Sequence, residues 1–260
     1  MRDDSVRNSG NDNVFWGRNS VLELLASGRD IDKIYVQKGA VEGSIKVIVG
    51  KANAKRIPIV ETDRAKLDSM SGGAVHQGVA ALVPETVYAE LDDLFAAAAK
   101  KGEKPFFVIC DCINDPHNLG AIIRTAECAG AHGVIIPKHR SVSLTSTVAK
   151  SSAGAVFRLP VARVGNIASV ISELQSKGVW VYALEANGTP YFGEKFDDSG
   201  IAFVLGSEGE GVSRIVKEKS DFVLSIPMYG ELNSLNVSAA AAVMLFEAAR
   251  QRHGKGDKRI

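Results

Sequence analysis

From residue 106 onward, short apolar runs alternate with longer segments in which apolar residues recur at helical spacing. The apolar runs predict strands and the amphipathic segments predict helices. Strands are predicted at 106–110, 133–136, 155–159, 179–183, 201–205 and 222–226, and helices at 119–129, 146–151, 166–176, 212–219 and 236–252. Because strands that alternate with helices are typical of a parallel sheet covered on both faces, we predict an α/β fold for this region.

A smaller α/β pattern precedes this region. It predicts strands at 33–37, 57–61 and 78–83, a helix at 43–54, and an earlier helix that starts with a capping box of Ser20 and Glu23 and runs to about residue 27. The stretch 84–104 begins with acidic residues and ends with lysines around a run of alanines, which favours a connecting helix and linker. The predicted parts are a leader (1–13), a small domain (14–83), a linker (84–104), a large domain (105–253) and a basic tail (254–260).

The composition is that of a globular protein. Of the 260 residues, 45% are hydrophobic and 23% charged, and the longest apolar run, 239–246, is too short to cross a membrane. The first dozen residues lack the apolar stretch of a secretory signal, so we expect a cytoplasmic protein with no membrane partner. Cys110, Cys112 and Cys128 do not have the paired spacing of a zinc site; we expect buried free thiols and no metal.

Positive charge is concentrated in one interval, although the net charge is only +1. The interval between Glu127 and Glu173 contains no Asp or Glu. It contains five basic residues: Lys138, Arg140, Lys150, Arg158 and Arg163. Chance clustering on a solvated face is one interpretation. The other is a surface that faces a polyanion such as a nucleic acid.

Three segments with glycine, proline or small polar residues follow predicted strands, at 115–124, 205–211 and 226–236. In α/β folds, loops at the carboxyl ends of parallel strands gather the ligand-binding groups. The three segments therefore predict one composite site.

The first segment carries an asparagine and an arginine. Pro116 ends the preceding strand, Asn118 is placed to cap a helix that starts at Leu119, and Arg124 lies under two turns further along. An arginine on an otherwise apolar helix needs a partner. That partner is either a structural ion pair or an anionic or ribose-bearing ligand.

The second and third segments have different chemistry. The loop Gly206 to Gly211 matches neither the dinucleotide fingerprint nor a phosphate-binding loop, and its two glutamates suit a cationic ligand or could hold Arg124, although a plain turn remains open. In the third segment, Ser234 or Asn236 could simply cap the last helix. Both together, beside Pro227 and Gly230, indicate a further role.

Taken together, the three segments resemble the motifs of the SpoU branch of the SPOUT superfamily, the ribose 2′-O-methyltransferases of RNA. The matching features are Asn118 followed by Arg124, the glycine and glutamate loop at 206–211, and a proline-containing strand followed by Ser234 and Asn236. The first 83 residues, including His76-Gln-Gly78, resemble the small α/β, ribosomal-protein-like RNA-binding domain that precedes the catalytic domain in members that methylate 23S rRNA. The resemblance covers nearly the whole chain.

The resemblance implies a C-terminal parallel-sheet SPOUT domain with a deep trefoil knot, a homodimer, and S-adenosylmethionine bound in the knot. The residues that match the cofactor positions are Gly206, Ile226 and Leu235, with Leu205 and Met228 nearby. By the same resemblance, Arg124 is closest to the reacting hydroxyl. Asn118, Glu208, Ser234 and Asn236 would position Arg124 and the ribose. Because the pKa of arginine is above about 12, electrostatic activation is favoured over proton removal by Arg124.

The expected partner is RNA, with 23S rRNA and a guanosine target implied by the resemblance. The residues predicted to contact it are Arg18, His76, Lys138, Arg140 and Lys150. A structural hydrogen bond is an open alternative for His76, and the family motif does not demand His117. Alternative functions are 2′-O-methylation of tRNA and a non-catalytic RNA-binding factor in ribosome assembly. A nicotinamide dehydrogenase is disfavoured by the glycine spacing.

Overall fold

The computed structural model describes residues 13–40, 43–84, 88–197 and 199–253. The chain divides into two compact units, one of Met1–Val87 with Ser143–Arg158 and the other of Tyr88–Val142 with Leu159–Ile260. The predicted basic tail and all but the last residue of the predicted leader lie outside the described residues. The predicted domain bounds stay a prediction.

The first unit contains a small mixed sheet. Its elements up to residue 84 are β1 (Val14–Trp16), α1 (Arg18–Ser27), β2 (Lys33–Gln37), α2 (Ser44–Ala54), β3 (Ile59–Thr62), α3 (Arg64–Met70) and β4 (Val79–Leu82). In the described part, the strand order is β1-β4-β2-β3; β4 runs antiparallel to β1 and β2, and β3 runs parallel to β2. The predicted α/β pattern is confirmed, whereas the short strand β1 was not predicted.

The predicted capping box at Ser20 and Glu23 is wrong. Helix α1 starts earlier, at Arg18, with Gly17 as its N-cap, and Ser20 is buried inside the helix. The free amide of Arg18 donates to the side-chain oxygen of Gln77 instead. A residue distant in sequence thus satisfies the helix start, so no local capping side chain is needed.

Glu23 serves to attach a later segment. The stretch 143–158 includes α6 (Ser146–Ser151), and its end packs on α1: Arg158 forms an ion pair with Glu23, and Phe157 meets Phe15 edge-on at 5.0 Å. Arg29 donates to the carbonyl of Val156 at 3.1 Å. These contacts explain why 143–158 groups with the first unit, although the predicted large domain includes it.

A parallel sheet forms the second unit. Its elements are α4 (Leu91–Lys101), β5 (Phe106–Cys110), α5 (Pro116–Cys128), β6 (Gly133–Pro137), β7 (Val161–Val164), α7 (Ile167–Ser176), β8 (Val179–Pro190), β9 (Gly200–Leu205), α8 (Arg214–Lys219), β10 (Phe222–Ser225) and α9 (Val237–His253). Over the described residues, the order is β10-β8-β9-β5-β6-β7, and every neighbouring pair is parallel. The predicted parallel sheet is confirmed.

The core of the second unit lies around the central strands. Every residue of β5 and β9 is buried, as expected for strands covered on both faces. Helix α4, within the predicted linker, also contributes to this core through the buried Leu94. It is therefore an element of the second unit.

The predicted strand at 155–159 is wrong. Residues Ala155–Phe157 form a turn of 3₁₀ helix, and the strand follows at β7. The whole apolar run is buried, and periodicity alone cannot distinguish a buried turn from a buried strand. Gly154, with φ of 83°, ends the regular α6 geometry just before it.

No helix in the described part of the chain has the length and apolar content that crossing a bilayer would require.

Candidate active site

A pocket of about 720 Å³ opens beside residues 184–186 of β8 and at the carboxyl ends of β9 and β10, and the start of α9 closes it. The five residues predicted to bind the cofactor all line it: Leu205, Gly206, Ile226, Met228 and Leu235. The volume is in the usual range for a small-molecule site. The structure thus brings together two of the three predicted segments around one cavity.

The glycine loop after β9 is a tight hairpin. Ser207 and Gly211 exchange two backbone hydrogen bonds of 3.1 and 3.0 Å. A Cβ atom on Gly206 would lie 2.0 Å from the backbone carbon of Gly211, so only glycine fits there. This close approach brings backbone groups of the two chain segments together at the pocket, and backbone groups can donate and accept hydrogen bonds.

Sequence reasoning missed Glu185, which lines the same pocket. Strand β8 does not end at residue 183 as predicted but continues to Pro190. It contains a bulge at 184–188, since Ala183 pairs with Val223 and the next paired residue, Thr189, pairs with Leu224. The bulge turns Glu185 towards the glycine loop, where its carboxylate accepts from the amide of Val212 at 2.6 Å. The missed signal was the apolar run at 179–184 followed by polar residues and Gly188, the same pattern that marked the other loops.

The pocket has an acidic lining. Glu185, Glu208 and Glu210 line it, and none of its described lining residues is Lys or Arg. Carboxylates in a partly enclosed site attract a cation and repel a phosphate. The lining therefore fits a positively charged sulfonium ligand, with apolar walls for its nucleoside part, better than a dinucleotide.

At the pocket, side chains from all three predicted segments meet in one hydrogen-bonded cluster. Asn118 donates through Nδ2 to Oε1 of Glu208 at 3.0 Å. Asn236 donates through Nδ2 to Oδ1 of Asn118 at 3.0 Å and to the same Glu208 oxygen. The composite site that the segment order predicts is therefore present in the fold.

Asn118 is free for this cluster because it is not the helix cap. Helix α5 starts at Pro116, and Asp115 is its N-cap, accepting from the amide of His117 at 2.7 Å. Proline suits the first helical position, since its fixed φ is already helical and its missing N–H is not needed there. The predicted capping role of Asn118 is thus wrong, and its place in the first turn directs it towards Glu208.

Asn236 combines both of the roles considered for it. Its Oδ1 accepts from the backbone amide of Ser238 at 2.9 Å and from the Ser238 hydroxyl at 2.6 Å, which caps the start of α9. Its Nδ2 makes the bonds to Asn118 and Glu208. Ser234 lines the pocket and is exposed.

Arg124 lies on α5, exposed, and among the described residues it makes no ion pair. The structural ion pair considered for it is therefore not found within the described part of the chain. Nor does any described hydrogen bond join it to Glu208, Ser234 or Asn236. Its guanidinium is available to a ligand rather than held by the cluster.

The loop after β5 is tied to the loop after β9. Asp111 is buried, and its carboxylate accepts from the amide of Ser213 at 2.8 Å. The prediction of three buried thiols is correct only for Cys110, whose pKa burial raises to about 12; Cys112 is half-buried and Cys128 is exposed. All three are free.

In the first unit, the predicted RNA contacts are of two kinds. His76 is buried: one ring nitrogen accepts from the amide of Gly78 and the other meets Asp68 at 3.1 Å. The structural alternative is thus favoured for His76. Arg18 is half-buried, and its guanidinium donates to the carbonyl of Gln77. Lys150 is exposed on α6.

In the second unit, Lys138 and Arg140 are exposed in the loop after β6, and neither forms a described ion pair. Arg163 has a structural role, since it stacks over Tyr88 at 5.1 Å and donates to the carbonyl of Lys138. Within the described ranges, no group of three or more His, Cys, Asp or Glu residues is arranged to hold a metal ion.

Comparisons with known proteins show which families and relatives the chain is similar to. The model of the SpoU rRNA Methylase family matches residues 105–246, and the model described as RNA 2′-O ribose methyltransferase substrate binding matches residues 14–89. A Bacillus subtilis (strain 168) protein named as a TrmH family tRNA/rRNA methyltransferase, YacO, is 45% identical over 241 residues, which is 93% of this chain and 96% of the relative.

Solved structures show the same architecture. An S-adenosylmethionine-bound rRNA methyltransferase from Sinorhizobium meliloti superposes with a TM-score of 0.76 at 26% identity, covering 92% of this chain and 87% of that one. The methyltransferase AviRb from Streptomyces viridochromogenes, also in complex with this cofactor, gives a TM-score of 0.75 at 23% identity, with 92% and 90% covered. The second likeness is evidence for the fold alone.

Proposed function

The chain belongs to the SpoU rRNA methylase family and is an RNA methyltransferase of the TrmH type, and we propose that it transfers a methyl group from S-adenosylmethionine to the ribose 2′-hydroxyl of a guanosine in 23S rRNA. The observation that carries the proposal is the Asn118–Glu208–Asn236 cluster, which joins the three predicted segments beside an acidic, partly apolar pocket.

The pocket is the proposed cofactor site. Backbone groups of the loop at Gly206 and of the segment around Ile226 and Leu235 would hold the nucleoside and amino-acid parts of S-adenosylmethionine. When bound, this cofactor supplies an electrophilic methyl group on a sulfonium. The carboxylates of Glu208 and Glu210 make the pocket favourable for that positive charge, whereas Glu185 already forms an ion pair with Lys217 at 3.4 Å.

Arg124 is the proposed catalytic residue. A ribose hydroxyl is a weak nucleophile at neutral pH, and a guanidinium next to it stabilises the charge that develops on its oxygen. Arg124 is exposed and makes no described ion pair, so it can bind the hydroxyl or the adjoining phosphate. Asn118, Glu208, Ser234 and Asn236 would orient the ribose, since orientation of the attacking atom is a large part of the rate gain.

The remaining parts of the proposal concern the assembly. We propose a cytoplasmic homodimer whose transferase part carries the trefoil knot of the SPOUT fold and whose first unit has the ribosomal-protein-like fold and binds RNA. The match of residues 14–89 to a substrate-binding model supports the RNA-binding role. For Arg18 and Lys150 the role is contact with that RNA; for His76 it is support of the surface from inside.

The test is a map of ribose 2′-O-methyl groups on rRNA and tRNA from cells that lack this protein and from the same cells with it restored. Loss of one group in 23S rRNA, regained on restoration, is the expected result. Loss of a tRNA group instead would favour the alternative substrate. If every group persists while ribosome assembly is impaired, the non-catalytic assembly factor replaces the enzyme.

A further inference from the structure

Two loops leave the same edge of the parallel sheet side by side. Strands β5 and β6 are parallel neighbours, so the loop after β5, which leads to Asn118, adjoins the loop after β6. Moving along this edge, the pocket lies at β10, β8 and β9, the asparagine follows at β5, and the β6 loop comes next. The β6 loop carries Lys138 and Arg140, both exposed.

The β6 loop is held in a defined position. The amide of Lys138 donates to the carbonyl of Val164 at 2.8 Å, and Arg163 donates to the carbonyl of Lys138 at 3.1 Å. At its far end, Val142 donates to the carbonyl of Ile113 in the β5 loop at 3.2 Å. The two cations are thus carried by a braced loop rather than by a free one.

The backbone at this edge is strained at two residues that are not glycine. Cys112 has φ of 61° and Arg140 has φ of 58°, both in the left-handed region. Such conformations are unfavourable for residues with a Cβ atom and persist where the surrounding structure holds them. One of the two strained residues is the arginine itself.

The positive charge of Arg140 acts on the β5 loop. Burial raises the pKa of Cys112, the carboxylates of Asp111 and Glu210 raise it further, and the positive charge of Arg140 lowers it. The effect of Arg140 on this thiol is consistent with the adjoining positions of the β5 and β6 loops.

Two of the other three basic residues in the acid-free interval are used by the protein, and the third, Lys150, is exposed on α6. Arg163 stacks over Tyr88, and Arg158 pairs with Glu23. Neither Lys138 nor Arg140 has a described ion pair, and Arg124 has none either. Unpaired guanidinium and ammonium groups held on a fixed loop suit a phosphate.

We propose that Lys138 and Arg140 form a phosphate-binding site for the RNA strand that enters the active site, one step along the sheet edge from the ribose at Asn118 and Arg124. The proposal rests on the proposed function, because it assumes that RNA is the substrate of this edge. The RNA strand would run from the mouth of the pocket towards β6. The β6 loop would direct it by contacts to the RNA phosphates and not to the bases.

The experiment measures RNA binding and methyl transfer separately, with an unmodified 23S rRNA transcript as the probe. The variants are Lys138→Gln, Arg140→Gln and the double variant. Lys100→Gln is the control, because Lys100 is exposed on α4 just before β5, at the opposite edge of the sheet, and its loss changes the net charge equally. Arg140→Gly is a second variant, since glycine accepts the left-handed backbone without strain.

The RNA-binding constant falls as salt rises, and the slope of its logarithm against log salt is measured between about 50 and about 200 mM salt. Each single variant should make this negative slope shallower by about 1, and the double variant should make it shallower by about 2. The KM for RNA should rise, whereas kcat at saturating RNA and the Kd for S-adenosylmethionine should match those of Lys100→Gln. Arg140→Gly should lower the slope as Arg140→Gln does, with no loss of Tm.

An unchanged salt slope in the double variant would overturn the phosphate site even if the wild type methylates RNA. A fall in kcat with an unchanged KM for RNA would also overturn it, since that result describes a catalytic group. If the wild type binds the transcript without methylating it and the slopes still fall, the phosphate site stands and the proposed function fails. If the wild type does not bind the RNA transcript, both the phosphate site and the proposed function are wrong.

Discussion

Asn236 uses one amide for two purposes, and the two can be separated by a single change. Its oxygen caps α9, while its nitrogen donates to Asn118 and Glu208. Aspartate keeps the capping oxygen and is favourable at a helix start, but it loses the donor and places a second carboxylate beside Glu208.

We therefore expect Asn236→Asp to retain the Tm of the wild type within a few degrees and to lower kcat/KM by about 10-fold or more. Thermal unfolding and methyl transfer to the 23S rRNA transcript measure the two effects. Asn236→Ala is the matched variant, because it should lose both the cap and the activity. Wild-type activity in Asn236→Asp would remove the cluster from the mechanism.

At Arg124 the expectation is loss of chemistry without loss of structure. The side chain is exposed and has no described ion pair, so Arg124→Ala should change the free energy of unfolding by less than about 0.5 kcal/mol. Methyl transfer should fall by about 100-fold or more, because charge stabilisation at the reacting oxygen is lost.

Binding of S-adenosylmethionine by calorimetry and the oligomeric state by light scattering serve as controls for Arg124→Ala, and both should equal the wild type. Arg124→Lys keeps the charge without the planar fork and should recover only part of the activity. Full transfer by Arg124→Ala would refute the role given to this residue.

The sequence predicted residues that the fold brings together, but not how they connect. All five residues that the family resemblance assigns to the cofactor line the pocket. The bonds from Asn118 to Glu208 and Asn236 join residues far apart in the chain, so only the fold reveals them. The expected contact of this cluster with Arg124 is not found among the described hydrogen bonds.

At the scale of elements, the hairpin loop after β9 depends on one close approach. Gly206→Ala would place a methyl group 2.0 Å from the backbone of Gly211 and 2.2 Å from that of Val212, so the loop must shift. The pocket wall moves with it, and the Kd for S-adenosylmethionine should rise by about 10-fold or more.

The control for this change is Gly165→Ala. Nothing lies within 4 Å of a Cβ at Gly165, so this substitution should leave cofactor binding unchanged. Calorimetric titration of both variants gives the comparison. Equal Kd values for Gly206→Ala and the wild type would show that the loop does not form the cofactor wall.

His132 makes stability depend on pH at the start of β5. Its ring accepts from the amide of Phe106 at 3.1 Å and meets Glu103, and its side chain is fully buried. Burial first, and then the charge of Lys101, lower the pKa of His132 to about 4 despite the opposing effect of Glu103. The unfolded chain, with a histidine pKa of about 6.5, therefore binds more protons than the folded chain between these values.

The neutral His132 ring contributes up to about 3 kcal/mol to the free energy of unfolding. This contribution is complete above about pH 6.5 and is lost as the pH falls towards about 4. Urea unfolding at several pH values in this window measures it. His132→Asn keeps an acceptor for Phe106 and cannot titrate, so its stability should decline less over the same range. Parallel pH profiles for the two proteins would contradict the assignment.

The types of most elements could be predicted from the sequence. The boundaries of an element could not be predicted when residues distant in sequence determine them. The sheet of the second unit follows from alternating apolar runs and amphipathic segments. The start of α1 depends on Gln77, and the bulge at 184–188 on the pairing of β8 with β10, neither of which is local. The turn at 155–157 was mistaken for a strand because its apolar run is buried without periodicity.

At the scale of the whole molecule, each unit has its own fluorescent reporter. The chain has two tryptophans, Trp16 in β1 and Trp180 in β8. In a Trp180→Phe background, Trp16 reports the first unit. Phe157 is buried against Phe15, so Phe157→Ala should lower the stability of that unit by about 3 kcal/mol.

Denaturant unfolding followed at Trp16 measures this effect, and Phe192→Ala is the control because its ring is 64% exposed. The control should leave the Trp16 transition in place. If Phe157→Ala also leaves the Trp16 transition unchanged, the segment 143–158 does not contribute to the stability of the first unit.

The attachment of 143–158 to α1 also affects the order in which the protein can fold as it is made. Residues 13–84 leave the ribosome long before Phe157 and Arg158, so Phe15 and Glu23 must wait for their partners until that later segment has been synthesised. The first unit is thus the first to be translated, but it cannot be completed until Arg158 has been synthesised.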